Sequence, residues 1–251
     1  MLSRQIELIK RLTITSFKLR NEGSYLGILW YFLNPLLSFL ILYFIFATRL
    51  GAGIESYPFY LLIGIIQWNF VNLAVGTAMK DIIANAQLIK SMNFSRESLI
   101  VASVFMALIN HFFELLVLFI FLLFFVKLSF LMLLFPLILF LQFLLILGMC
   151  FAFSSIIIYF RDLENIWAFF SRLWWFVTPV FYTISPKTPL IYTLNLFNPL
   201  YYIITVSRDI LIYNKLPAIS SVLALACFSL LSFNLGYLIF KKLKHKFAEM
   251  I

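Results

Sequence analysis

LMLLFPLILFLQFLLILGMCFAFSSIIIY, residues 131–159, contains no Asp, Glu, Lys, Arg or His. A helix crossing a bilayer needs about twenty predominantly apolar residues, and this run exceeds that. Lipid offers backbone N–H and C=O groups no partner, so a chain of this kind crosses as a helix. Outward from it, five further runs have the same character: residues 29–48, 58–78, 99–126, 166–184 and 218–240. The expected fold is an all-α integral membrane protein with six transmembrane helices. Composition agrees, with 64% hydrophobic residues, 12% charged ones and a mean hydropathy of +1.04. Soluble domains are about half apolar and about a quarter charged. Runs 99–126 and 131–159 are long enough to tilt or to project beyond the bilayer.

The basic residues set the orientation. Arg4, Lys10, Arg11, Lys18 and Arg20, then Lys80, Lys90, Arg96 and Arg161, then Lys241, Lys242, Lys244 and Lys246 fall on one side. The other side carries Arg49, Lys127, Lys187, Arg208 and Lys215, and Arg172 lies within a run. Cytoplasmic loops are enriched in Lys and Arg, so both termini are expected in the cytoplasm. The net charge of +9 follows from this topology, and no nucleic-acid partner is expected. Residues 1–20 are charged and amphipathic, unlike the apolar centre of a cleavable signal. Cys150 and Cys227 each sit in an apolar run without a CxxC pattern, which reads as reduced packing residues. No metal is expected.

Residues 1–28 read as an N-terminal interface helix followed by a turn. Ile6, Ile9, Leu12, Ile14 and Phe17 fall near one helical face, with Lys10, Arg11 and Lys18 elsewhere. Gly23 and Gly27 supply the backbone freedom to turn upward. Trp30 and Tyr31 suit the headgroup level, and Pro35 loosens the first turn of the span. The membrane domain then covers residues 29–240, and 241–251 form a basic cytoplasmic tail. The loop 79–98 is cytoplasmic and about one short helix long. The external segment 185–217 is apolar and interrupted by Pro186, Pro189, Pro199 and Pro217. It reads either as short helices dipping back to cap a cavity or as a helical hairpin on the outer interface.

Catalytic signatures are thin. There is no GxxxxGK[ST], HExxH or GxSxG and no paired carboxylates in a loop. Function is expected to come from a pathway or a partner.

The motif YLGILWYFLNPLL, with Ser24, Leu26, Gly27, Trp30 and Pro35, resembles the N-terminal signature of permease subunits of polysaccharide-exporting ABC transporters. LIKSMNFSRE (88–97) is similar to that family's cytoplasmic connection. YFRDLENI (159–166), TPVFY (178–182) and Asn198–Pro199 look like its region between the fourth and sixth spans. Nearly the whole chain is covered, with the strongest likeness to O-antigen exporters (Wzm-like); teichoic-acid and capsule exporters share much of the pattern. The resemblance implies a non-catalytic membrane subunit in a bacterial cell inner membrane that binds no cofactor itself. It implies a second copy forming a channel, two copies of a nucleotide-binding ATPase carrying ATP and Mg, and an undecaprenyl-type lipid-linked polysaccharide as cargo, all against membrane lipid. Residues 79–98 would be the coupling segment, with Leu88, Ile89, Lys90, Met92, Phe94 and Arg96 at the ATPase. Residues 185–217 would be re-entrant external gate helices between spans five and six.

Two aromatic stripes are candidates for the substrate pathway. Phe32, Leu36, Phe39, Tyr43 and Phe46 in the first span, and Trp167, Phe170, Trp174, Val177 and Phe181 in the fifth, each share one helix face. Sugar rings pack their C–H faces on aromatic faces through contacts that tolerate sliding. Ordinary lipid contact or helix packing produces the same stepping. His111, Glu114 and Arg172 are the ionisable residues inside spans, where charge is costly and marks function. His111 and Glu114 share a face at i, i+3, and Glu114 and Arg172 are expected to pair at similar depth. Rival readings are a permease for another ABC cargo such as a drug or lipid, a membrane sugar transferase, and a proton-coupled transporter.

Overall fold

The structure is a computed structural model describing residues 2–51, 53–91, 95–125, 129–184 and 189–250. Every regular element among them is helical: α1 Leu2–Asn21, α2 Leu29–Phe46, α3 Tyr57–Ala84, α4 Ala86–Ser91, α5 Arg96–Phe125, α6 Phe135–Tyr159, α7 Leu163–Val177, α8 Pro189–Leu196, α9 Pro199–Leu211, α10 Ile219–Leu243 and α11 Phe247–Met250. Among the described residues, five stretches are long and apolar enough to cross a membrane: Leu29–Phe46, Tyr57–Ala84, Arg96–Phe125, Phe130–Tyr159 and Ile219–Lys246.

The centre of the bundle is α3. It is apolar on all sides, as a buried helix must be, and it touches α2, α5, α6, α7 and α9. Its most apolar window is 72% buried within the chain, against 11% for α2. The outer helices therefore leave their remaining faces for lipid or another chain. Antiparallel packing of α3 and α5 is fixed by Asn69, whose amide donates to Glu114, and by Asp81, which accepts from Ser103 Oγ at 2.5 Å.

By contrast, α6 and α10 run parallel. Ser232 Oγ donates to the Leu145 carbonyl at 2.8 Å, Gly236 lies on Gly148, and Tyr159 OH donates to the Leu243 carbonyl. A Cβ on Gly236 would stand 1.9 Å from the Gly148 carbonyl oxygen. Small residues let two backbones meet in this way, and the apolar-run reading of the sequence had no sight of it.

Two parallel neighbours require the intervening chain to return across the bundle. The expected fifth span, 166–184, turns out to be α7 of 15 residues followed by an extended strap. Thr178 leaves the helix with ψ 134°, because a residue preceding proline is pushed out of the helical region. Yet α7 begins beside Lys80, with Glu164 at 3.4 Å, and the strap ends beside Tyr57 and Tyr60. Between those levels α3 rises about 34 Å. Helix and strap together therefore run the same height as α3.

Residues 189–211 also resolve the two readings of the external segment in one respect. The prolines start helices: Pro189 opens α8, and Pro199 opens α9 behind the N-cap Asn198, whose side chain accepts from Leu200 N–H. Leu200, Ile203, Ile204, Val206, Ile210 and Leu211 are fully buried. Thus α9 lies inside the bundle and not on its surface.

The chain after residue 240 folds back. Lys244 Nζ meets Glu97 at 2.7 Å, Arg96 donates to the Lys244 carbonyl, and Phe247 is buried beneath the Phe240 ring. This places α11 against the short α4. At the N-terminus, Gly23 and Gly27 adopt φ of +75° and +45°, the turn expected of them. On α1 the expected apolar face is narrower than the sequence pattern: Leu12, Thr13 and Phe17 pack on α5, while Ile6 and Ile14 point outward. Tyr31 is buried against Phe17 and Phe113 instead of lying at an interface, and Trp30 stays exposed.

Candidate functional site

A cavity of about 1020 Å³ opens at the end of the bundle that carries α1 and α4. It exists because α1 is tied to α5 and not to α7. Thr13 Oγ1 reaches the Ala102 carbonyl at 3.4 Å, and Phe17 stacks on Phe113. The opposite wall is α7, and the floor is the last three turns of α3. Thr15, Ser16, Asn72, Thr77, Asn85 and Ser171 give the lining a polar character. Three cations reach it, Arg20, Lys80 and Arg172, with two acids, Asp81 and Glu164. Both acids are engaged, Asp81 by Ser103 and Glu164 by Lys80. The surplus is positive and solvent-accessible, so the cavity suits an anionic group. Among the described residues no set of His, Cys, Asp or Glu is arranged for a metal.

The structure brings the two aromatic stripes together at the other end. Phe46 stacks on Phe181 with ring centroids 4.9 Å apart. Phe32 meets Phe113 edge-on, Phe39 leans on Tyr43, and Tyr43 leans on Tyr57. Trp167 is buried against Phe153, and Trp174 meets Trp68 while donating its Nε1–H to Asn198 Oδ1 at 3.0 Å. Most of these rings therefore pack helices within the chain. Phe170 is the exception, half exposed on α7 beside Phe169, Leu173 and Phe176.

The intramembrane polar residues separate. His111 and Glu114 are both buried, 3.9 Å apart, with His111 stacked on Phe70. Glu114 accepts from Asn69 and Asn110, each at 3.3 Å. Arg172 is exposed in the cavity, so the expected Glu114–Arg172 pair does not form. Similar depth was the argument for it, but α3 packs against both α5 and α7 and Glu114 finds its partners on α3 and on its own helix. In the segment expected to couple to an ATPase, Ile89 is buried, Lys90 is exposed, and the Arg96 guanidinium lies 5.7 Å over the Phe247 ring. Met92, Phe94 and the Leu88 side chain lie outside the described residues.

Sequence reasoning missed one constellation. Arg208, counted as a loop cation, is buried, and among the described residues no carboxylate pairs with it. Its Nε and Nη2 donate to the Tyr60 carbonyl, Nη1 to Pro179 and Nη2 to Val180, at 2.8–3.2 Å. Its guanidinium also lies 3.2 Å over the Tyr60 ring centroid. Tyr57 and Tyr60 hydroxyls donate to the Phe181 and Tyr182 carbonyls. Asn198 donates to Thr178 Oγ1 and Asn195 Oδ1. The strap is close enough to α3 that a Cβ on Gly64 would lie 2.9 Å from the Val180 oxygen. The available signal was position: Arg208 sits in the last turn of α9, whose other residues carry no positive charge.

The sequence profile of ABC-2 type transporters matches residues 7–212, from α1 through the end of α9. The chain belongs to the ABC-2 type transporter family. It is a multi-pass membrane permease subunit of that family. It is 29% identical to the O-antigen export system permease protein RfbA of Myxococcus xanthus, over 98% of this chain and 94% of that protein. It is also 29% identical to two Klebsiella pneumoniae proteins of the same name, over 98% of this chain and 95% of each of them.

Proposed function

We propose that two copies of this permease form the channel of an ATP-driven exporter that moves a lipid-linked, O-antigen-like polysaccharide across a bacterial inner membrane. The observation that carries the proposal is the likeness to O-antigen export permeases over 98% of the chain. In this arrangement the five long helices and the α7–strap unit make six crossings, and both termini are cytoplasmic. The cation-lined cavity then lies at the cytoplasmic end. Arg20, Lys80 and Arg172 suit the pyrophosphate of an undecaprenyl-type carrier, which charge-assisted hydrogen bonds hold well. The exposed ring of Phe170 and the outward edges of Phe39, Tyr43 and Trp174 line the route, with α8 and α9 as the external gate. A separate ATPase, also in two copies, docks at 79–98 and supplies ATP and Mg.

The test is restoration of export. In a strain lacking its own O-antigen permease, this chain and its cognate ATPase should return polymer to the periplasmic face, detected by antibody on spheroplasts. The permease purified alone should hydrolyse no ATP. Absence of export with both subunits present in the membrane, or ATP hydrolysis by the pure permease, overturns the proposal.

A further inference from the structure

At the strap end, a second and smaller cavity of about 230 Å³ lies between α3, the strap and α9. Its volume equals the share of roughly seven or eight water molecules at ~30 Å³ each, the scale of a single six-membered sugar ring. One face of α9 supplies Tyr201, Thr205 and Asp209, spaced i, i+4, i+8. Tyr201 and Thr205 each place a hydroxyl on this wall. Tyr60 and Tyr213 close the sides with aromatic surface.

The charges exclude two ligand classes. An anion would look to Arg208, but that guanidinium has its N–H groups on the Tyr60, Pro179 and Val180 carbonyls and its face on Tyr60. A cation would look to Asp209, whose carboxylate already lies in the field of the Lys215 ammonium. The Lys215 backbone N–H donates to the Asp209 carbonyl, and the ammonium lies 5.6 Å from the Tyr213 ring centroid. What the cavity offers is aromatic surface, hydroxyls and one carboxylate. A carboxylate accepts from two neighbouring O–H groups at once, and aromatic rings pack against the C–H faces between them.

We infer that this cavity is a binding subsite for one neutral pyranose ring, in which Asp209 and Thr205 take vicinal hydroxyls and Tyr201 and Tyr213 flank the ring. It rests on the polysaccharide reading above and places a sugar contact in each subunit beside the strap, remote from the cationic cavity. Such a subsite holds exported polymer by one ring at a time.

Saturation-transfer NMR tests it with the purified full-length protein in lipid nanodiscs. The probes are methyl α-hexopyranosides, with hexose 1-phosphates as the anionic comparison. Transfer to the ring protons of at least one methyl glycoside is expected, reduced threefold or more by Asp209→Asn and by Thr205→Val. Thr205→Val alters one hydroxyl on a half-buried position and keeps the measurement available where Asp209→Asn does not fold. No transfer to any glycoside, transfer undiminished in the folded variants, or preferential transfer to the 1-phosphates overturns the subsite. The assay needs neither ATPase nor export, so its failure is distinct from failure to restore export.

Discussion

The strap end and the α1 end of this bundle share α3, α5 and α7 but treat polar groups in opposite ways. At the strap end they are buried and matched: Arg208, Asn198, Tyr57 and Tyr60 each have partners, and most of those partners are backbone carbonyls. At the α1 end, Arg20, Lys80 and Arg172 face an open cavity, and the ion pair among its lining residues, Lys80–Glu164, is solvent-exposed. Exposed pairs contribute roughly 0–1 kcal/mol, whereas an unmatched buried polar group costs about 1–3 kcal/mol. One end therefore determines shape, and the other is free to be selected for what it binds.

The largest expected effect tests the matched end. Arg208→Met leaves the Pro179 and Val180 carbonyls without donors in a buried site and takes the second donor from the Tyr60 carbonyl, which keeps its place in the α3 ladder. A loss above about 3 kcal/mol is expected, seen as a lower melting temperature in detergent and release of the strap in hydrogen exchange. Arg208→Lys keeps the charge but not the planar fork, and should fall between wild type and Met. Equal stability of Met and wild type would mean that water already serves those carbonyls.

Gly64→Ala is the next in size. Its Cβ would meet the Val180 oxygen at 2.9 Å and Val180 Cγ1 at 3.0 Å, neither of which is a free-swinging side-chain tip. Overpacking of this kind costs about 1–3 kcal/mol. The prediction is a moderate fall in melting temperature with the strap displaced, read by faster exchange at residues 178–182. A neutral outcome would show the strap to be looser than its hydrogen bonds indicate.

Phe247→Ala probes the α1 end, where structure does reach the coupling segment. Burial of Phe247 against Phe240 and Arg96 is what brings α11 to α4. The element is small and peripheral, so its loss should open locally while the bundle remains folded. Exchange should rise at residues 86–91 and 244–250, with the global melting temperature nearly unchanged and export reduced.

How much of this contrast was legible follows from what each end is made of. Long apolar runs announce themselves by length, so α2, α3, α5, α6 and α10 were readable, as was the glycine turn before α2. The α7–strap unit was not, because Pro179 divides a run whose hydropathy is continuous: composition registers apolarity, while a proline sets backbone geometry. The Gly148–Gly236 crossing and the Arg208 clamp also escaped, since each depends on which helix stands opposite. The Glu114–Arg172 pairing failed for the same reason. Depth along a helix follows from rise per residue, but azimuth follows from packing. Of the second aromatic stripe, Trp167, Phe170 and Trp174 lie on α7, but Phe181 falls in the strap beyond the end of the helix, and the chain uses most of the stripe rings for its own packing.

The smallest stability effect sharpens the comparison most. Arg20→Gln, Lys80→Gln and Arg172→Gln each alter an accessible cavity residue, and such substitutions usually change stability within ±0.5 kcal/mol. If the α1 end is selected for binding, these variants should melt like wild type, assemble with the ATPase and still lose export. Arg172→Gln is the cleanest of the three, because Lys80 holds Glu164 and Arg20 touches Met106 Sδ and approaches the Tyr31 ring. Arg172→Lys should retain more export than Gln, since charge and not a fixed hydrogen-bond fork is what an open cavity supplies first. The loss should also be mimicked in wild type by raised ionic strength, because accessible charges are screened within about 8 Å at physiological salt and 3 Å at 1 M. Export that is insensitive to both Arg172→Gln and salt would mean that the cationic lining plays no part in receiving cargo. The difference between the two ends would then be one of packing alone.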